Sequence, residues 1–508
     1  MKPAPHARGV SKKPSTLVWD EGSWPEFVKT ASMTSHFSSP SARRVFLVLA
    51  LILGAVLLVP QAGLCQQISA ITPPAAGTSL LGGQGYMWLS QFANPGVLGA
   101  LYQTPTFPWT GIYPLYPGSF TPIAPADGFR AGPFRLHPFM GMAEMFTDNV
   151  LRTNNKRSDF FTTLAPGLQA QLPFGSRHLF VADYRTNLQF FHRTPSNNVQ
   201  DQTASAMTRF ELASGLKLDL QGEHKLGHDP RGSALDLQTL ELNKWVANSI
   251  TGRAQYEGGQ VGATLTMQTM RWNYINNDQG LIRDRLTNYL GTTFSAKVLP
   301  HTSALLNLSV IQEIYDENKN LDSAMYTIST GARWEISGNT SGQFLVGYQH
   351  LKFTRAQVNQ PGPVLSIFRR DQDSFNNLFV MGQLHWTPLA NLNLVLQPYR
   401  TIQQTVVAGT IFFTATGVNL SATYPLGMRF EVTSNLGYEV DRFSSPAGAV
   451  ASTPTRSDTL KNAAIGLNYR AVRWLGVGLQ YVFEDRSSTD GVFSYQANTT
   501  MLSVQAFF

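Results

Sequence analysis

Residues 499–508 read TTMLSVQAFF. Thr500, Leu502, Val504, Ala506 and Phe508 fall on one face of an extended chain, and Ser503 and Gln505 fall on the other. Successive strand side chains point to opposite faces, so a period of two marks a strand whose sides meet different surroundings. One side here is apolar and closes on an aromatic; the other is polar. Such a strand suits the wall of a bacterial outer-membrane β-barrel, with lipid outside and a lumen inside. Soluble edge strands can also end in an aromatic, so the weight lies in whether the pattern repeats.

It repeats across residues 134–508. Phe180, Ala182, Tyr184, Thr186, Leu188 and Phe190 interleave with Val181, Asp183, Arg185, Asn187 and Gln189. Phe430, Val432, Ser434, Leu436, Tyr438 and Val440 interleave with Glu431, Thr433, Asn435, Gly437, Glu439 and Asp441. Leu475, Val477, Leu479, Tyr481 and Phe483 alternate with Gly476, Gly478, Gln480, Val482 and Glu484. Each run is about ten residues, the length a tilted strand needs to cross the hydrocarbon. A helix would show a period near 3.6.

The connections sort by length. Short ones are PFGSR (173–177), ASG (213–215), EGG (257–259), LPHT (299–302), SGNTS (337–341), TPLAN (387–391), YPLG (424–427) and AVRW (471–474). Between them lie longer polar ones at 154–158, 195–201, 227–243, 276–284, 316–322, 354–374, 400–409, 442–458 and 485–498. Eight short turns and nine long loops predict 18 strands, give or take two, with both termini on one side. Short periplasmic turns and long external loops are how outer-membrane barrels are laid out. A soluble β-sandwich gives no reason for this sorting. The expected fold is therefore all-β: a transmembrane antiparallel up-and-down barrel of 16–18 strands over 134–508.

The start of the chain addresses it. Arg43 and Arg44 precede an apolar run at 45–59, followed by Pro60 and Gly63. Positive residues, a short apolar core and small residues read as a secretory signal over 1–65. Fifteen apolar residues are short for a spanning helix, which needs about 20; an inner-membrane anchor is the alternative. The long lead-in points to Met33 as the true start. Cys65 is the only cysteine, and Leu64 before it is too large for a lipoprotein signal. Residues 66–133 are rich in Pro, Gly and aromatics (Pro73-Pro74, Gly82-Gly83, Trp88, Trp109, Tyr113, Tyr116) and carry almost no charge. They read as an irregular segment, either a periplasmic leader, a plug inside the lumen or a disordered linker; the aromatics argue against full disorder.

Composition agrees. Charged residues make up 14%, against about a quarter in soluble globular domains. Residues 1–65 hold seven of the 39 Lys and Arg and three of the 32 Asp and Glu, so the remainder carries a net +3. That balance gives no reason to expect nucleic acid as a partner.

Four fragments invite comparison with a known family. Thr147-Asp148-Asn149-Val150 ends the first strand, Ser158-Asp159 opens the second, Pro166-Gly167 lies within it, and Tyr184-Arg185 lies in the third. This run resembles the opening of the putative β-barrel porin 2 family of Gram-negative outer-membrane proteins. The resemblance implies an outer-membrane barrel without an agreed substrate; several members are associated with exopolysaccharide export.

Motifs for catalysis are absent: no GxSxG, HExxH, P-loop or paired cysteines. No enzyme activity, cofactor or metal is expected. His228-Asp229 is a polar-loop pair, and Asp316, Glu317 and Asp322 are solvated loop acids or cation ligands. Trp245, Trp272, Trp334, Trp386 and Trp474 lie near strand ends and predict an interfacial girdle. Function must rest on the lumen. The inward residues expected to line it are Arg185, Arg209, Lys217, Arg253, Lys297, Arg333, Arg429 and Arg470, with Asp183, Glu211, Asp219, Glu223, Glu257, Glu335, Glu431 and Glu439. A filter for a strongly charged polymer needs a ring of one sign, whereas this lining is mixed. It suits a porin channel for hydrophilic solutes, saccharides among them. The alternatives are an exit barrel for exopolysaccharide and a non-transporting anchor whose charges pair and fill the lumen. Expected partners are outer-membrane lipid and lipopolysaccharide, small solutes or polysaccharide, and the barrel-assembly machinery, for which Phe508 resembles the recognition signal.

Overall fold

The computed structural model describes residues 128–212, 215–232, 241–337, 339–355, 373–389, 391–404, 412–444, 455–472 and 474–507. The signal region, Cys65, residues 66–127 and the terminal Phe508 lie outside the described residues.

A short strand, β1 (Phe129–Ala131), precedes 18 long ones: β2 (Phe134–Thr147), β3 (Asp159–Phe174), β4 (His178–Phe191), β5 (Val199–Glu211), β6 (Leu216–His228), β7 (Lys244–Glu257), β8 (Val261–Tyr274), β9 (Arg285–Leu299), β10 (Thr302–Tyr315), β11 (Ser323–Ser337), β12 (Thr340–Phe353), β13 (Ser374–Leu389), β14 (Leu392–Gln404), β15 (Phe412–Leu426), β16 (Phe430–Phe443), β17 (Ser457–Val472), β18 (Leu475–Ser488) and β19 (Tyr495–Phe507). Each long strand pairs antiparallel with its chain neighbours, and β19 returns to β2, with Thr499 opposite Thr147 and Phe507 opposite Phe139. Closure leaves the wall without an open strand edge, which lipid demands. Eighteen strands spaced about 4.8 Å apart and tilted about 40° enclose a backbone ring roughly 36 Å across.

Each expected turn and loop overlaps a break between strands, but the strands run further than expected: β5 takes in 199–201, β14 takes in 400–404, β15 takes in 424–426, and β18 and β19 take in 485–488 and 495–498. The faces follow the alternation. On β19, Leu502 and Val504 are exposed to the lipid side, and Met501 and Ser503 are buried toward the lumen. Trp386 and Trp474 are exposed at the short-turn rim, as a girdle requires. Trp245 and Trp272 depart from that expectation. They stand on the inward face at the loop end, edge to face with ring centroids 4.8 Å apart. Trp272 is buried among lumen residues, so two of the girdle's five expected members leave it.

The closing seam is tied by the motif after β2. Asp148 accepts hydrogen bonds from the backbone N–H and Nδ2 of Asn498 at 2.7 and 2.8 Å, and from Nζ of Lys156 at 2.9 Å. Partial burial pushes its carboxyl up, but these bonds outweigh it and hold the pKa below the usual 3.8. Asn149 is fully buried and donates through Nδ2 to the carbonyls of Thr153 and Gln496. The first and last strands are thereby clamped above their ladder.

Candidate functional site within the barrel

Facing residues on β3 to β7 build a charged wall. Asp183 on β4 receives Nε of Arg185 at 2.5 Å and Nε2 of Gln169 at 3.1 Å. Asp219 on β6 is held from both sides: Nε of Arg209 on β5 donates at 2.8 Å, and Nη2 of Arg253 on β7 at 2.5 Å. The registers explain the trio. Asp219 pairs across the ladder with Arg209 on one side and Arg253 on the other, so three strands present one row. Further up β6, Lys225 and Glu223 pair at 2.9 Å.

At the loop end the lumen is crossed by a bar of polypeptide. Residues 229–232, following β6, are buried. Asp229 takes Nη1 of Arg283 at 2.5 Å. Arg283 belongs to α1 (Gly280–Arg283), in the β8–β9 connection, and its guanidinium lies 4.1 Å over the Tyr274 ring. Next to it, Ile282 packs with Tyr315, Leu351, Phe353, Ile402 and Phe412, which come from β10, β12, β14 and β15. Arg231 reaches Oδ1 of Asn197 in the β4–β5 connection at 3.0 and 3.1 Å. The Gly232 carbonyl accepts Nη1 of Arg486 on β18 at 2.7 Å. Four residues thus join groups from the β8–β9 connection and from β18, eight strands apart in a ring of 18. The connections fold inward across the mouth.

The bar lands on a buried charge cluster. Arg486 and Arg456 both engage Asp458 on β17; Nε of Arg486 lies at 2.9 Å and Nη2 of Arg456 at 2.6 Å. Arg152, from the β2–β3 connection, pairs with Glu484 at 2.6 Å. Tyr399 on β14 donates its hydroxyl to Glu439. Gly232 sits in the left-handed region at φ 75°, and a Cβ there would come within 2.9 Å of Arg152 and 2.8 Å of the Tyr495 hydroxyl. Only glycine fits that seat.

A family model described as putative beta-barrel porin 2 matches residues 121–508. The chain belongs to this family. Among solved structures, OccK5 of Pseudomonas aeruginosa aligns at 10% identity and TM-score 0.41, covering 73% of this chain and 98% of that one. The siderophore receptor PirA of Pseudomonas aeruginosa aligns at 9% and 0.41, covering 74% and 80%. A bacterial polysaccharide outer-membrane secretin aligns at 8% and 0.32, covering 73% and 98%. No curated protein matches the chain. This porin-family member is a bacterial outer-membrane barrel.

Within the porin barrel, Arg185, Arg209, Lys217, Arg253 and Asp183, Glu211, Asp219, Glu223 share the inward face of β4 to β7, and Glu431 and Glu439 share that of β16. Lys297, Arg333, Glu335 and Glu257 keep inward parity but sit near the short-turn rim, where they are exposed. Arg470 is half-buried at the same rim. Arg429 is a correction: it lies in the turn before β16, exposed, because β15 ends at Leu426 and β16 begins only at Phe430. The arginines of the bar and its landing (Arg152, Arg231, Arg283, Arg456 and Arg486) escaped the sequence reading. Arg486 was within reach, since it continues the inward row Gln480, Val482, Glu484 by one step; the loop arginines carry no period.

His228-Asp229 does not act as a pair. Nδ1 of His228 meets Asp201 at 2.9 Å, while Asp229 turns to Arg283. The loop acids are likewise engaged: Asp316 with Arg271 on β8, and Asp322 with Arg355 and the Tyr315 N–H. Among the described residues no group of three His, Cys, Asp or Glu is placed to hold a metal ion.

Proposed function

We propose that this porin-family barrel is a diffusion channel for small hydrophilic solutes, neutral saccharides among them. The observation that carries the reading is the bar over a mixed-charge lumen. A backbone ring this wide exceeds what its own side chains fill, and a polar inner face has no use against lipid. The bar takes up part of the mouth, and an obstructed mouth favours uptake of small molecules over exit of an exopolysaccharide. The paired charges balance in sign and select weakly.

Planar-bilayer recording and liposome swelling with a graded sugar series test this. The purified chain should give discrete conductance steps and admit small sugars. Arg486→Gln and Gly232→Val, which unseat the bar, should raise conductance about twofold and move the size cut-off upward. Absence of conductance in the intact and unseated forms would leave the anchoring role instead.

A further inference from the structure

We propose that the outward face of β14 to β17, at the loop end, is a docking site for the phosphorylated head group of lipopolysaccharide in the outer leaflet. The site lies on the lipid side of the wall and holds whether or not the lumen conducts.

The strand sequences set its height. From the short-turn rim, the outward residues of β16 run from Phe430 through Leu436, Tyr438 and Val440 to Arg442. The ten residues from Phe430 to Val440 rise about 25 Å at a tilt near 40°, the height of an outer-membrane apolar band. Arg442 therefore stands just above the hydrocarbon, where head groups begin. Lys461 on β17 pairs across the ladder with Tyr438, and a lysine at that depth reaches the head groups by its own length. Arg400 on β14 pairs with Thr416, which pairs with Val440, so it stands level with Val440 two strands away. Arg442 is exposed, and the Lys461 side chain is 55% exposed. Arg400 is half-buried and fixed in place: Nη1 donates to Oγ1 of Thr416 at 2.7 Å and Nε to Oδ1 of Asn377 at 3.2 Å. From strand spacing and rise, the three Cα atoms lie within roughly 16 Å of one another.

Charge selects the occupant. The outward faces of β12 to β17 carry Lys352, Arg400, Arg442 and Lys461 and no acid among the described residues. The connections at 405–411 and 445–454 contain no acid either. Beyond β17 the sign changes, with Asp485 outward on β18 and Glu144 outward on β2. Lys461 meets Asp485 at 3.7 Å, and Arg271, an outward cation on β8, is matched by Asp316. The face of β14 to β17 thus keeps a surplus of positive charge directly above exposed apolar residues such as Leu436 and Tyr438. Acyl chains fit the apolar part, and phosphate fits the cations, guanidinium groups above all. Three cations spread over that span suit a disaccharide with a phosphate at each end better than the single phosphodiester of a phospholipid.

Native mass spectrometry of the full chain in mild detergent, titrated with diphosphoryl lipid A, tests the site. One lipid should bind to the native barrel ahead of any others. Arg442→Gln with Lys461→Gln should weaken that binding roughly tenfold or more, whereas Arg271→Gln should leave it unchanged. Heat-modifiable migration checks that each variant is folded. Monophosphoryl lipid A and phosphatidylglycerol should each bind the native chain several-fold more weakly, a comparison that needs no variant. Equal affinity in the double variant and the native chain would overturn the site, as would an equal loss in Arg271→Gln. Phosphatidylglycerol binding as tightly as diphosphoryl lipid A would overturn the glycolipid as occupant.

Discussion

At the scale of single residues, the family motif is a clamp more than a site. Asn149 spends its amide on two carbonyls, one of them on β19. Asn149→Ala removes both hydrogen bonds, each contributing about 0.5–1.5 kcal/mol. It should lower the temperature at which the folded band converts on gels, with β-content unchanged at 25 °C. Unchanged conversion would remove the seam from the account of stability. Asp148 adds a pH dependence. Its folded pKa lies below 3.8, so its contribution is complete above the unfolded value and fades as pH falls through the lower folded one. Melts in detergent between pH 6 and pH 3 should show a loss in the native chain that Asp148→Asn lacks.

At the scale of elements, the strands and the places of the loops were legible and the way the loops fold inward was not, for one physical reason. A strand in this wall meets lipid and lumen on alternate residues, so its environment is written into its own sequence with a period of two. Turn residues such as Gly175 and Gly427, at φ 60° and 69°, mark the short connections locally. The bar depends instead on partners such as Gly232 and Arg486, 254 residues apart, and no local pattern announces them. Trp245 and Trp272 show the same limit: a position near a strand end does not say which face a ring takes. The Pro166-Gly167 step shows a pattern that gained its reason only from the register. Phe139 lies across Gly167 on the neighbouring strand, and a Cβ on Gly167 would fall 1.9 Å from Cζ of Phe139. Gly167→Leu should displace that ring and cut the yield of folded barrel several-fold, whereas Gly252→Leu, where a Cβ meets nothing within 4 Å, should be tolerated. Equal yields would show that the aromatic cover is incidental.

For the whole molecule the question is whether the charged wall borders the path of solutes. Arg209, Asp219 and Arg253 form one row with a surplus of one positive charge, and the neighbouring Asp183–Arg185 and Glu223–Lys225 pairs are neutral. Neutral pairs have short-ranged fields, and salt at physiological strength screens what remains within about 8 Å. The native channel should therefore prefer anions only weakly. Removing either half of the row must move selectivity in opposite directions. Arg209→Gln with Arg253→Gln leaves Asp219 unpaired and should turn the reversal potential toward cations. Asp219→Asn frees both guanidinium groups and should turn it toward anions by a comparable amount. Each variant needs the heat-modifiable band of a folded barrel before its current is read. If both fold and neither moves the reversal potential, ions travel elsewhere and the Asp219 row is a strut of the wall. Opposite shifts would place the row on the path.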